Sequence, residues 1–344
     1  MTEIFVQPGS PLVNDFSVEA GGWPTQDGFP RYIADVNGDR INDIVGLGHS
    51  GVIASFGAAD GTFSLPTLVL VAYGQSQGWH SFDIYPRYIV DVDGDGIADI
   101  VDFFFQRTDI KYGSADGYFN SGPVVTFDDF SLAQGWSKQD SFARIIGDVN
   151  GDGKLDLIGF GYAGTLVSIN DDSYNFQPVE LALDDFGIDQ GWTSDNLFHR
   201  TTADVNGDGI SDIVGFGYAG TLVALGKGDG TFTASYLALD NFGKDQGWSS
   251  QNDFPREVAD VNGDGRADIV GFGIQGTYVA FGQADGNFLP AKLDVKDFTA
   301  SYGWTSDNSF PRILGDVNGD GLNDIVGFGT VGVLAGYNQG GWFF

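Results

Sequence analysis

The chain has 344 residues, 42% of them hydrophobic and 14% aromatic, enough apolar side chain for a large core and unlike a disordered acidic tail. Its net charge of −31, carried by 43 Asp and only 4 Glu, excludes the basic face that nucleic-acid binding needs and concentrates the shorter carboxylate in tight loops. There is no Cys and so no disulfide, and no apolar run long enough to span a membrane.

The N-terminal stretch MTEIFVQPGSPLV has neither a basic n-region nor a long apolar core, so it does not read as a secretory leader, and cytoplasmic or unconventionally secreted protein is the expectation. After it, one acidic hexapeptide recurs: DVNGDR at 35, DVDGDG at 91, and DVNGDG at 148, 204, 260 and 316. The starts are 56 or 57 residues apart, and six such units span nearly the whole chain. The fourth unit reads as four short β-runs: RTTA, SDIVGFG, TLVALG and TFTASYLAL, broken by DVNGDG, YAG and KGDG. Val, Ile, Phe and Thr between Gly and Asp turns are strand signals, and no window carries a capped apolar 3.6 period. Four antiparallel strands repeated six times predict an all-β, six-bladed β-propeller as a single domain over residues 1–344. Closing the ring protects strand edges that a linear array would leave open. The last unit stops at GYNQGGWFF, where a fourth strand is due, and the N-terminal IFVQPGSPLV resembles that strand. Residues 4–13 are therefore expected to complete the sixth blade.

The hexapeptide extends to D-x-[ND]-x-D-[GR]-x-x-D. Side-chain oxygens at positions 1, 3, 5 and 9, with a backbone carbonyl at position 7 (Ile210 in the fourth unit), suit the six to eight hard ligands of calcium. The expected metal ligands are Asp35, Asn37, Asp39 and Asp43; Asp91, Asp93, Asp95 and Asp99; Asp148, Asn150, Asp152 and Asp156; Asp204, Asn206, Asp208 and Asp212; Asp260, Asn262, Asp264 and Asp268; and Asp316, Asn318, Asp320 and Asp324. The plain alternative is a set of Asx turns with exposed acids, and six copies with the same oxygen positions favour metal. A structural calcium is expected, because protein oxygens fill the shell and leave little room for an activated water. Arg40 stands where the other loops have Gly, so the first site is expected to be weaker or distorted. The pattern resembles the calcium loop of FG-GAP and VCBS repeats, the blades of integrin-type propellers, and the recurrent GFG after the loop strengthens that resemblance. Unit two departs from it with DFFF (102–105), and unit three with NDDSYNF (170–176) in place of GDGTF.

A second series keeps the same period. Trp23, Trp79, Trp136, Trp192, Trp248 and Trp304 are each followed eight residues later by Arg31, Arg87, Arg144, Arg200, Arg256 and Arg312, with an aromatic in between. Four residues after each Trp comes Asp27, Asp83, Asp140, Asn196, Asn252 or Asn308. In a four-stranded blade the Asp loop is a first-to-second turn and the Trp segment is the crossover, so the two series are expected on opposite faces. The turn after GFG shares the Trp face and brings His49, Tyr162, Tyr218, Ile274 or Thr330 near. Aromatic rings with planar donors and acceptors suit a pyranose, which has an apolar C–H face and a rim of hydroxyls. The bland reading is inter-blade core for Trp, with Arg satisfying backbone carbonyls beneath it.

The Trp–Arg–DVNGDG–GFG unit resembles the mushroom β-propeller lectins of the Psathyrella velutina lectin type, which include six-bladed N-acetylglucosamine lectins of Agrocybe. The resemblance covers essentially the full chain. It implies a calcium-bearing propeller that binds glycans and glycoproteins with non-reducing terminal N-acetylglucosamine in pockets between blades, at up to six sites. By position, the Trp, Arg and Asp/Asn series with His49, Tyr162 and Tyr218 are the candidate sugar contacts. Unit two's altered turn, and Ile274 or Thr330 in place of Tyr, place some pockets in doubt. Two other classes stay open. An enzyme needs a unique site, and the three His and four Glu form no recognisable nucleophile–base pair. An integrin-like protein binder would carry one dominant patch, against which the near-equality of the units speaks.

Overall fold

The computed structural model describes residues 3–6, 8–119, 121–171 and 176–340. It is a six-bladed β-propeller in which five blades are four-stranded antiparallel sheets and the sixth has three strands. In the fourth blade the strands are Arg200–Ala203, Asp212–Phe216, Thr221–Ala224 and Tyr236–Leu239, running outward in chain order. The first-to-second register pairs Arg200 with Gly215, and the second-to-third pairs Gly215 with Leu222. The outer strand is shorter than TFTASYLAL suggested, and in the fifth blade it shrinks to Lys292–Leu293. The second strands (Asp43–Leu47 and its counterparts) are buried at every residue, because a neighbouring blade covers each of their faces. That is why DIVGF carries no polar alternation.

The sixth sheet comprises Arg312–Gly315, Asp324–Phe328 and Val333–Gly336. Along its outer edge lies the N-terminal segment, antiparallel, through bridges Phe5–Asn338 and Val13–Val333. Leu12 N–H donates to the Val333 carbonyl at 2.7 Å and Val6 N–H to Tyr337 at 3.0 Å. Contact is through isolated bridges instead of a continuous ladder. Residue 7, within the expected strand, and residues 341–344, at the end of the last unit, lie outside the described residues. The core sits between blades. One cluster joins Ile158 and Phe160 of the third blade to Ile213 and Ala224 of the fourth. Among the described residues no helix is long and apolar enough to cross a membrane; the crossovers hold only single 3-10 turns, such as Leu132–Gln134.

The Arg series opens each inner strand and is buried throughout, at 0–1% exposure. Arg144 is typical. Its Nη1 donates to the Phe130 carbonyl at 3.2 Å, its Nε and backbone N–H donate to Gln139 Oε1, and its guanidinium lies 5.4 Å from the Phe103 ring of the preceding blade. Phe130 has φ +58°, and Phe16, Tyr73, Phe186, Phe242 and Phe298 at equivalent places also lie at +54° to +62°. This left-handed conformation costs a bulky residue about 1–3 kcal/mol. The arginine holds its carbonyl there while burial lowers the guanidinium pKa to about 10, still charged at neutral pH. These six arginines, expected as sugar contacts, are instead internal clasps.

The Asp/Asn series is likewise structural in its bonding. Asp27 Oδ1 accepts the Asp83 N–H, Asp83 that of Asp140, Asp140 that of Asn196, Asn196 that of Asn252, Asn252 that of Asn308, and Asn308 that of Asp27, all at 2.9–3.1 Å. The side chains thus close a circle through all six crossovers, because the 56-residue repeat sets each one against the next blade's backbone. A second circle runs on the opposite face, where loop carbonyls of one blade accept from the next, as Asp148 does from Ser211 N–H at 2.7 Å and Asp316 from Asn42 N–H at 3.1 Å.

Two outcomes follow from these contacts. Arg144→Ala leaves a buried carbonyl unpaired and a cavity, and is expected to lower unfolding free energy by about 3 kcal/mol in a denaturant titration. Asp83→Ala removes one acceptor from the circle and is expected to cost about 1 kcal/mol in the same measurement, with the native circular dichroism spectrum retained.

Candidate functional site

The inner strand of every blade starts just after the Trp crossover and ends at the Asp loop, so the two series occupy opposite faces of the ring. On the acidic face the loops are held by their own backbone. Asp204 accepts the N–H groups of Gly207 and Gly209 at 2.7 Å each, Asn206 accepts that of Asp208 at 2.8 Å, and Asp208 that of Ile210 at 3.0 Å. The closing Asp212 is fully buried, and its two oxygens accept the N–H groups of Val205 and Gly226 at 3.0 and 2.7 Å. It therefore ties the loop to the end of the third strand as well as facing the acids. Each oxygen of Asp212 keeps a second lone pair for a cation, whereas Asp204 Oδ1 already accepts two N–H groups, from Gly207 and Asp208.

Burial pushes the closing carboxyls up to about 7 at Asp43, Asp99, Asp156, Asp212 and Asp324, and to about 8 at Asp268; the fifth and first loop acids add to the rise, except at Asp99, where the third and first (Asp93 and Asp91) do. Such crowding of carboxylates is what a divalent cation relieves. In the second loop, Asp91, Asp93 and Asp99 each bring an oxygen within 4.8 Å of the others. The other loops carry Asn at position 3, so theirs is a mixed carboxylate–amide donor set, still all oxygen and hard. Arg40 adopts φ +69°, the left-handed conformation that Gly takes in the other loops, and keeps the turn at the cost of strain.

On the opposite face, the Trp side chains are buried or half-buried, each against the left-handed aromatic that precedes it. The second strand leaves room for them with Gly: a Cβ on Gly159 would stand 2.3 Å from Trp136 Cη2. Two clefts open over this floor. The cleft on the third blade, about 310 Å³, is lined by Trp136, Phe142 and Tyr162, by Leu166 and Leu181, and by the end of the 3-10 turn at Gln134. Its counterpart on the fifth blade, about 340 Å³, is lined by Trp248, Phe254, Ile274 and Tyr278, with polar groups from Asn241, Gln246 and Gln275. The 3-10 turns Gln75–Gln77, Leu132–Gln134, Ile188–Gln190 and Lys244–Gln246 lean on the preceding blade, as Leu132 N–H does on the Phe104 carbonyl at 3.2 Å, so the wall of both clefts is built from two blades.

Of the expected sugar contacts, Trp136, Trp248 and Tyr162 line these clefts. Tyr162 is 63% exposed and packs on Phe142 at 5.0 Å; Tyr218, 57% exposed, packs on Phe198 at 4.7 Å with the Lys244 ammonium over both rings. His49 is exposed at the corresponding turn of the first blade, where its carbonyl accepts the Ser76 N–H at 2.9 Å. Neither the Arg series nor the Asp/Asn circle lines either cleft. Sequence reasoning missed Gln134 and Gln246 and the third-strand residues Leu166 and Tyr278. A signal existed for the glutamines: QGW stands at 77–79, 134–136, 190–192 and 246–248. The third-strand residues had none, since their role depends on which face of the strand meets the cleft. Of the altered stretch of unit three, 170–176, residues 172–175 lie outside the described residues.

The FG-GAP-like repeat family matches residues 35–101, 204–271 and 260–327. Among solved structures, the chain is similar to an Agrocybe aegerita lectin whose structure concerns specific recognition of non-reducing terminal N-acetylglucosamine. The identity is 38% over 95% of this chain and 80% of that one, with a TM-score of 0.76. It shares its fold with part of the Photorhabdus luminescens Tc holotoxin pore, at 14% identity, a TM-score of 0.64, and 99% of this chain against 15% of that one. No curated protein matches. A periodic Trp face, acidic loops at the other end of every inner strand, and this identity across nearly the whole length lead to one conclusion: the chain belongs to the FG-GAP-like repeat family, and within it to the β-propeller lectins.

Proposed function

We propose that the protein is a multivalent lectin that binds terminal, non-reducing N-acetylglucosamine of glycans and glycoproteins in the Trp-floored clefts, with structural calcium in the Asp loops. The observation that carries this is the pair of equivalent clefts, each with an indole floor, an aromatic wall and a few polar groups. Their volumes of about 310 and 340 Å³ accommodate a monosaccharide. Such a floor suits the apolar face of a pyranose, and Leu166 and Leu181 offer an apolar lining for an acetamido methyl. Gln246, Asn241 and Gln275 offer donors and acceptors for hydroxyls. The 38% identity to the Agrocybe aegerita lectin supports the same sugar class. Several weak sites facing one way let a glycan-covered surface be held by avidity. No unique constellation of base and nucleophile lines either cleft, which favours binding over turnover.

In the loops, the candidate ligands are the four side chains of each repeat, and calcium would neutralise the crowded carboxylates and stiffen the turn. The first loop, with Arg40, is expected to hold it most weakly.

A glycan array probed with labelled protein is expected to show selective binding to glycans ending in N-acetylglucosamine. Trp136→Ala is expected to weaken binding at that cleft by roughly 10-fold, about 1.4 kcal/mol. A blank array from folded protein would sink the lectin reading. Calcium added to chelator-treated protein is expected to raise its stability by about 2.7 kcal/mol for each site filled at 100 times its Kd. An unchanged melting temperature would return the loops to plain Asx turns.

A further inference from the structure

The second blade departs from the other five at a position that lines both open clefts. Gly161 lines the cleft on the third blade and Gly273 the one on the fifth. A Cβ on Gly161 would stand 2.8 Å from Leu166 Cδ1 and 4.0 Å from Trp136 Cη2; on Gly273 it would stand 3.0 Å from the Tyr278 ring and 3.4 Å from Trp248 Cη2. A side chain here has nowhere to go but over the indole. The first, fourth and sixth blades keep this glycine as Gly48, Gly217 and Gly329. The second blade has Phe104.

The Phe104 ring lies where a sugar would. Its centroid is 4.8 Å from Trp79, tilted by 36°, and 5.1 Å from Tyr85. Trp79 and Tyr85 are the counterparts of Trp136 and Phe142, the floor and wall of the open cleft. The backbone is unchanged. Phe104 N–H donates to Arg107 at 2.8 Å, as Gly161 does to Gly164 at 2.8 Å, and each residue's carbonyl accepts from the next 3-10 turn. A companion change lies beneath. Asp102, 1% exposed, replaces the glycine that elsewhere makes room for Trp. Arg87 sits over the Trp79 ring at 5.3 Å, whereas the other five arginines lie over a phenylalanine of the preceding blade.

The geometry assigns Phe104 as a built-in plug: the second blade carries no sugar site, and the ring binds at most five sugars, with a gap on one side. This rests on the carbohydrate reading of the open clefts. The test soaks crystals of the native protein in methyl N-acetylglucosaminide at saturation. It also counts bound sugars in solution for native protein, Phe104→Gly, and Phe104→Gly with Asp102→Gly. The expected result is sugar on Trp136 and Trp248 and none on Trp79, with one site gained by the double variant. Sugar on Trp79 in native crystals, or no gain in either folded variant, overturns the plug while leaving the lectin reading intact. Absence of sugar from every blade overturns both.

Discussion

The fold depends on a buried charge at the start of every blade. Each arginine reaches back to the carbonyl of an aromatic residue held at positive φ, and five of the six spread their guanidinium over a phenylalanine of the preceding blade. One terminal nitrogen of each guanidinium finds that carbonyl while the other has no hydrogen-bond partner, and the aromatic face beneath offsets part of the burial; a left-handed phenylalanine with no partner would relax. Together they lock the crossover. Because the crossover is locked, the indole eight residues earlier packs on the left-handed aromatic in every blade.

Locking the crossover also separates the roles that share its short sequence. The tryptophan divides its surface between core and cleft. The arginine belongs wholly to the core. The Asp or Asn between them closes a circle of hydrogen bonds from blade to blade, matched by a circle of loop carbonyls on the acidic face. Two hoops on a ring of sheets hold the blades at fixed spacing. Within that frame, recognition is free to vary blade by blade through residues that carry no clasp, such as Tyr162, Ile274 and Phe104.

Much of this was legible in the residues. The interval of 56 or 57 gave the blade number, the Gly and Asp punctuation gave the strands, and antiparallel connectivity placed the Trp and Asp series on opposite faces. The tryptophans drew notice because aromatic side chains at a fixed period have few uses, and Trp136 and Trp248, with Tyr162, line the clefts. The Arg and Asp/Asn series were misassigned to the sugar for the same reason they were noticed. Periodicity marks a residue that every blade needs, and a blade needs its clasps more uniformly than its ligand contacts.

The sequence alone determined the architecture, because local strand and turn chemistry repeated six times has one compact closed solution. It also determined the chemistry available on each face. Only the tertiary structure decided which polar groups face a cleft and which are consumed in holding the ring, since that turns on strand facing and on the neighbour one blade away. The same reason explains Phe104. In the sequence it is a departure from GFG; in three dimensions it is a ring lying on Trp79 where another blade has space.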